Sequence, residues 1–286
     1  MTAKIHPFFD EITNTYSYIL ADSETNVCAV IDAVKEFDYS SGRTNTTLID
    51  KIIAQIKHEN YVLDWILETH IHADHLSAAQ DLKSQLGGRI GIGEKIIDVQ
   101  SIFMDIFNSN DGFKPDGREF DYLFKDGESF SIGKLQGKVI HSPGHTPACI
   151  CYHIEDMLFV GDTIFMPDVG TARADFPGGD ANMLYKSIKK LLSLPLQTRI
   201  FICHDYPTNE REPRYETSVE EQRNKNMHVH DGISEQEFVS MRKARDKTLD
   251  MPTLMIPSVQ INMHGGNLPA VEKNGVRYIK VPLDLL

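Results

Sequence analysis

Four apolar runs in this sequence each lead into histidine or aspartate, and this repeated arrangement constrains the fold more than any other feature. In the clearest case the run "VLDWIL" leads into "ETHIHADH", residues 68–75. Short apolar runs bounded by turn residues predict buried strands. Loops that follow the carboxyl ends of strands converge at one edge of an α/β sheet, so we expect these polar side chains to gather there. They are His70, His72, Asp74 and His75, then His145 in "SPGHTP", Asp162 in "VGD" and His204 in "ICHD".

The rest of the chain alternates between strand and helix patterns. "YSYILAD" and "VCAVIDA" predict two strands, and "TLIDKIIAQIKHEN" has its apolar residues at helical spacing. "NMLYKSIKKLLSL" and "SEQEFVSMRKARDKTL" predict later helices. Strands interleaved with helices indicate an α/β layered domain. We therefore expect a single domain over residues 1–286, in which residues from about 212 onward form a C-terminal helical and loop appendage.

Composition argues against two classes of partner. The formal net charge is -12, and no Lys/Arg-rich run offsets it, so nucleic acid is not expected to bind. No stretch approaches the run of ~18 apolar residues that a membrane span needs. The first twenty residues lack the pattern of a secretion signal. We therefore expect a cytoplasmic protein without a membrane partner, and its four cysteines are expected to be thiols.

The clustered histidines and aspartates predict metal binding. Imidazole and carboxylate are ligands that suit zinc, iron or manganese. His70 and His72 are two residues apart in an extended segment and can face one side. Asp74 and His75 stand where the next helix is predicted to begin and can face another side. Four other histidines are expected to be ordinary polar residues, namely His141, His153, His228 and His230.

This ordered set of residues resembles the signature of the metallo-β-lactamase superfamily, HxHxDH followed by a strand-end histidine, an aspartate and a final histidine. The resemblance spans nearly the whole chain and implies an α/β fold, a four-layered αββα sandwich with metal at one edge of the two sheets. Such a signature is specific for a metal site and much less specific for a reaction. The stretch "DYSSGRTNTTLID" further resembles the bacterial branch labelled β-lactamase hydrolase-like.

Some branches of that superfamily fit the sequence poorly. Flavodiiron proteins carry an acidic residue in place of His72 and an attached flavodoxin domain, and nucleases have basic surfaces. True β-lactamases usually replace Asp162 with cysteine. The segment "VGTARADF" and the later stretches "TSVEEQRNKN" and "PSVQINMHGG" instead resemble persulfide dioxygenases. The longer C-terminal domain with which glyoxalase II binds glutathione is not found.

The resemblance to persulfide dioxygenases implies oxidation of a thiol persulfide, such as glutathione persulfide, by O₂ to sulfite and thiol. It assigns one Fe(II) per chain to His70, His145 and Asp162. The residues that would hold waters and orient ligands are His72, Asp74, His75 and His204. In the alternative, a glyoxalase II-like thioester hydrolase, the same residues bind two metal ions such as zinc. A metal-stabilised binding module without turnover is a third hypothesis.

Two further residues are predicted to serve the substrate. Arg173 follows the Asp162 loop, and it either pairs with a carboxylate of the thiol carrier or orders that loop through Asp175. Tyr206, next to "HD", is a candidate for a hydroxyl contact with the substrate. The resemblance also implies a homo-oligomer.

Overall fold

The computed structural model describes residues 3–109, 112–207 and 211–285. In spatial order, the first sheet contains β1 (Ala3–Asp10), β2 (Thr15–Asp22), β3 (Val27–Ile31), β6 (Val62–Leu67), β8 (Arg89–Gly93) and β9 (Tyr122–Phe124). The second contains β10 (Ser129–Ile132), β11 (Leu135–His141), β12 (Ile150–Ile154), β13 (Met157–Phe159), β14 (Arg199–Phe201) and β15 (Glu216–Ser218). A small third sheet contains β5 (Arg43–Asn45), β4 (Val34–Asp38) and β7 (Leu76–Ser77).

Helices cover the outer faces of the two large sheets. They are α1 (Thr47–His58), α2 (Ala79–Leu86), α3 (Ile96–Ile106), α4 (Ala181–Leu191), α5 (Val219–Lys225), α6 (Glu235–Asp246) and α7 (Met255–Asn262). Apolar residues of α1, α2, α3 and α7 pack on the first sheet, and those of α4, α5 and α6 pack on the second. A core rich in aromatic side chains, including Tyr18, Phe124 and Tyr152, fills the space between the sheets. The layers are therefore helix, sheet, sheet and helix, which confirms the predicted αββα sandwich.

Most of the predicted strands and helices are present. The sequence patterns did not predict helix α7 or the strands β1, β4, β5, β7, β9 and β15. Pro257 lies in the first turn of α7, where a missing N–H costs no intrahelical hydrogen bond. The helix predicted from residue 76 begins only at Ala79, because Leu76 and Ser77 pair with β4 as a short strand.

The segments that follow the central strands meet at one edge of the sandwich. Strands β3, β6 and β8 run parallel to one another in the first sheet, as β13 and β14 do in the second. The two sheets are tied together at this edge, where Tyr16 N donates to Cys203 O at 2.7 Å and Ile150 N donates to Thr69 O at 3.0 Å. The loops that carry the candidate metal-binding residues therefore converge.

The structure also bears on two predictions based on composition, the state of the cysteines and the membrane-spanning segments. The four cysteines are buried free thiols. In the part of the chain that the structure describes, no helix is both long enough and apolar enough to cross a lipid bilayer.

Candidate metal centre

The seven candidate metal-binding residues lie together at this edge. Two groups have donor atoms within 4.8 Å of one another, the first formed by His70, His145 and Asp162, the second by His72, Asp74 and His75. His204 lies between the groups, with its Nε2 atom 3.2 Å from Asp162 Oδ1 and 3.4 Å from Asp74 Oδ2. The arrangement thus offers two adjacent places for a cation, with His204 between them.

Several buried donor atoms of this cluster have no hydrogen-bond partner among the described residues. They are His70 Nε2, His72 Nδ1, His75 Nε2, His204 Nε2 and Asp162 Oδ1. A buried polar atom without a partner costs about 1–3 kcal/mol, so five of them in one place need a common partner. Cations at these adjacent places would accept lone pairs from such atoms, and imidazole with carboxylate is a suitable donor set for iron or zinc. These residues therefore fit a bound metal.

The imidazole rings are oriented by hydrogen bonds to their second nitrogen atoms. These contacts are His70 Nδ1 to Thr69 Oγ1 (3.0 Å), His75 Nδ1 to Asp74 Oδ2 (3.3 Å), His145 Nδ1 to Arg173 O (2.9 Å) and His204 Nδ1 to Thr15 Oγ1 (3.2 Å). Such a contact fixes the orientation of the ring and keeps the other nitrogen free to bind metal. The rings are thus arranged for binding before any ion arrives.

Neighbouring carboxylates stabilise two of the histidines as cations. Burial alone lowers the pKa of His72, but the Asp32 carboxylate outweighs burial and holds this pKa well above its ordinary value. Burial likewise lowers the pKa of His204, and Asp162 raises it well above the ordinary value. A metal ion that binds these rings must displace their protons, so metal affinity is expected to rise with pH.

Asp32 is a functional candidate that the sequence analysis missed. Its Oδ1 atom accepts hydrogen bonds from Thr69 N at 2.8 Å and from His72 Nε2 at 3.1 Å, and its Oδ2 atom accepts from Thr69 Oγ1 at 2.9 Å. One carboxylate therefore holds both His72 and the start of the histidine loop. The signal was the same as for Asp162, because Asp32 also follows an apolar run, "VCAVI".

We expect Asp32→Asn to weaken metal binding by about 10–100-fold. The substitution keeps the size of the side chain but removes the negative charge that orients His72. A chelator competition assay on the purified protein measures the affinity. Asp64→Asn is the matched control, because Asp64 pairs with Arg89 at the surface, 2.9 Å away. Equal affinities in the two variants would rule out this role for Asp32.

Asn262 of α7 is a second residue that the sequence analysis missed. Its Nδ2 atom donates to His72 O at 2.9 Å and to His75 O at 2.8 Å, and its Oδ1 atom accepts from Ser77 N at 2.7 Å. The side chain is buried. A residue near the C-terminus therefore fixes the backbone of the whole histidine loop. In the sequence, only the resemblance of "PSVQINMHGG" to persulfide dioxygenases hinted at it.

Two glycines allow the loops of His145 and Asp162 to approach their neighbours closely. Gly144 has φ +142°, and a Cβ atom there would lie 2.3 Å from the backbone of Leu184. Gly161 has φ +51°, and its Cβ atom would lie 2.4 Å from Thr69 Oγ1. Any larger residue would strain the backbone and displace the metal-binding loop beside it. This requirement explains the glycines of "SPGHT" and "VGD".

A cavity of about 380 Å³ opens onto the metal-binding cluster. Asp74, His145 and Asp162 line it on the metal side. Tyr206 also lines the cavity, and partial burial raises the pKa of its hydroxyl to about 12. The hydroxyl is therefore protonated at neutral pH and can donate a hydrogen bond into the cavity.

Arg173 lines the same cavity, but its charge is already neutralised. Its guanidinium donates to both carboxylate oxygens of Asp175, at 2.6 and 2.8 Å, and to Asp250 O at 2.7 Å. Its own carbonyl oxygen contacts His145 Nδ1. Of the two roles predicted from the sequence, this geometry favours the ordering of the loop through Asp175 over direct pairing with a substrate carboxylate.

The histidines expected to be ordinary polar residues lie outside both donor groups. His141 Nε2 contacts Pro147 O at 2.9 Å. His228 Nδ1 accepts a hydrogen bond from Thr171 N at 3.1 Å, and burial lowers its pKa to about 4. A neutral His228 therefore supports the loop before Arg173.

Comparison with known proteins extends these observations. Residues 13–204 match the family model described as Metallo-beta-lactamase superfamily. The Probable metallo-hydrolase of Burkholderia pseudomallei and the Glyoxylase B2 of Dictyostelium discoideum are each 49% identical, over 99% of this chain and 99% and 98% of theirs. The Beta-lactamase hydrolase-like protein of Xylella fastidiosa is 47% identical over the full chain and 66% of its own length, in agreement with the predicted bacterial branch.

Two more distant matches bear on the reaction. The human mitochondrial Persulfide dioxygenase ETHE1 is 30% identical over 71% of this chain and 68% of its own. The crystal structure of ETHE1 from Myxococcus xanthus is 25% identical, covers 93% of this chain and 100% of its own, and superposes with a TM-score of 0.74.

Proposed function

This chain belongs to the metallo-β-lactamase superfamily, and from that membership we propose that it is an iron-dependent persulfide dioxygenase. In the proposed reaction one persulfide, one O₂ and one water give one thiol, one sulfite and two protons. The proposal rests mainly on the group formed by His70, His145 and Asp162 beside the cavity. Two histidines and one carboxylate with open positions are typical of non-haem iron oxygenases.

The side chains around the cavity have distinct proposed roles. His70, His145 and Asp162 would hold one Fe(II), which supplies positions for sulfur and O₂ and a change of oxidation state. Tyr206 would donate a hydrogen bond from its hydroxyl to the bound persulfide and keep its proton. The residues that hold waters and orient ligands are His72, Asp74, His75 and His204. Arg173 fixes His145 through its carbonyl oxygen.

A glyoxalase II-like thioester hydrolase is the second candidate, and one specific observation favours it. Asp162 Oδ2 lies 3.6 Å from His145 Nε2, while Asp162 Oδ1 lies 3.2 Å from His204 Nε2. A carboxylate that faces both sides in this way suits two bridged metal ions and an activated water. The names of the hydrolase and glyoxylase relatives also agree with this alternative.

Parallel assays on the same metal-loaded preparation distinguish the two functions. With glutathione persulfide we expect O₂ uptake and sulfite formation in equal amounts. With S-lactoylglutathione, a glyoxalase II substrate, we expect thioester hydrolysis to be at least about a hundredfold slower by kcat/KM. Thioester hydrolysis without O₂ uptake would assign the protein to the hydrolases.

The ordering role of Arg173 makes a specific prediction about its partner. Arg173→Ala and Asp175→Ala should each lower kcat/KM for the persulfide by about tenfold, and the double variant should be no worse than either. The pair acts as one unit because each side chain is held by the other. Steady-state kinetics of the three variants measure the coupling. Additive losses, or full activity in Asp175→Ala, would instead assign Arg173 to the substrate.

The cytoplasmic location and the homo-oligomer expected from the sequence stay predictions. Sedimentation equilibrium tests the homo-oligomer. A mass of 32 kDa at every concentration would exclude it.

A further inference from the structure

One C-terminal segment forms much of the cavity wall. The lining residues that it contributes are Arg242, Arg245, Leu249, Asp250 and Pro252. The first two belong to α6, and the others follow it. The cavity is therefore bounded by this segment as well as by the metal-binding loops.

The three arginines that line the cavity differ in how they are paired. Arg173 is bound by both oxygens of Asp175. Arg242 is buried, donates to Asp246 Oδ1 at 2.8 Å and to Thr171 O at 3.1 Å, and is thereby neutralised. The guanidinium of Arg245 is exposed and makes no hydrogen bond or ion pair with any residue that the structure describes. It is the one cavity arginine still available to a ligand among these residues.

The charged groups near Arg245 do not neutralise its guanidinium. Arg242 on the same helix is paired with Asp246, so that carboxylate is already engaged by another arginine. The nearest lining carboxylate in the chain is Asp250, five residues on, whose carbonyl oxygen accepts from Arg173. Its carboxylate has no ion-pair partner among the residues that are described. The part of the cavity wall that this segment forms thus presents one unpaired cation, Arg245, and one carboxylate without an ion-pair partner, Asp250.

We propose that Arg245 binds a carboxylate of the thiol that carries the persulfide, and so favours carboxylate-bearing carriers over uncharged ones. The inference rests on the proposed function, which places the persulfide sulfur at the metal. A guanidinium forms charge-assisted, bidentate hydrogen bonds with a carboxylate. Asp250 provides a counter-charge for an ammonium group on such a carrier. Carriers with several phosphates gain less, because Asp250 and the chain's net charge of -12 repel them.

The test compares a charged carrier with its uncharged ester. Arg245→Gln should raise KM for glutathione persulfide about tenfold and leave kcat nearly unchanged. The reason is that the lost interaction stabilises the bound substrate and the transition state equally. For the persulfide of glutathione diethyl ester, the variant and the parent protein should have the same KM. Lys243→Gln is the matched control, since Lys243 is exposed on the same helix and does not line the cavity. It should match the parent protein with both substrates.

Calorimetry separates a failure of this inference from a failure of the proposed function. Binding of reduced glutathione and of its diethyl ester to the metal-loaded protein requires no turnover. A Kd for glutathione about tenfold weaker in Arg245→Gln, with the ester unaffected, supports the carboxylate site even if no O₂ is consumed. Equal Kd values in Arg245→Gln and Lys243→Gln, or an equal loss with the ester, would overturn it.

Discussion

Asp162→Ala is expected to abolish both iron binding and O₂ consumption. Asp162 supplies the carboxylate of the proposed iron-binding group, and it lies 3.6 Å from His145 Nε2 and 3.9 Å from His70 Nε2. Its removal leaves two imidazole ligands, which hold ferrous iron weakly without an anionic ligand. We expect kcat/KM to fall on the order of a thousandfold or more. Iron content by elemental analysis and O₂ uptake with glutathione persulfide measure the two losses.

His204→Ala is the informative comparison for this prediction. His204 lies on the other side of Asp162, with its ring held by Thr15 Oγ1 at 3.2 Å. With a single iron at the first group, His204→Ala retains its iron and loses only part of its activity. If both variants lose metal to the same extent, two ions share Asp162, as in the hydrolase alternative.

Asn262→Ala is expected to destabilise the protein and to weaken metal binding together. The substitution leaves His72 O, His75 O and Ser77 N without their partners in a buried site. Three such losses should lower the free energy of unfolding of the metal-free protein by about 3 kcal/mol. The histidine loop also loses its anchor, so metal affinity should fall about 10–100-fold. Urea unfolding and chelator competition measure the two quantities separately.

Asn267→Ala provides the matched control for Asn262. Asn267 lies five residues further along and donates to His264 O at 2.8 Å at the surface. Its removal should change the free energy of unfolding by less than about 0.5 kcal/mol. A loss of stability in Asn262→Ala with unchanged metal affinity would mean that α7 supports the fold without orienting the metal site.

The residues that could be predicted from the sequence are those whose signal is local. His70, His72, Asp74 and His75 follow one apolar run, so strand-end geometry alone brings them to the sheet edge. Arg173 and Asp175 are two residues apart, and their pairing was one of the two roles considered. The same local rule applied to "VCAVID" would have found Asp32.

The residues that escaped prediction act across long stretches of chain. Asn262 contacts the carbonyl oxygen of His72 across 190 residues. No periodicity or spacing in the sequence reports such a contact, because it depends on how layers pack in three dimensions. Arg245 escaped for the same reason, since its place on the cavity wall depends on where α6 packs.

The identity of the metal needs control in any test of this account. Zinc generally binds nitrogen and oxygen sites more tightly than ferrous iron does, so protein produced in zinc-rich medium can carry the wrong ion. Zinc has no accessible redox step and would not support oxidation of a persulfide. Metal-free protein, prepared with a chelator and loaded under anaerobic conditions, removes this difficulty.

Anaerobic titration of metal-free protein with Fe(II), followed by O₂ uptake with glutathione persulfide, tests the central claim most directly. We predict that the rate rises in proportion to bound iron and stops rising at one iron per chain, with sulfite formed in the same amount as O₂ consumed. A requirement for two metal ions per chain, with thioester hydrolysis and no O₂ uptake, would contradict it.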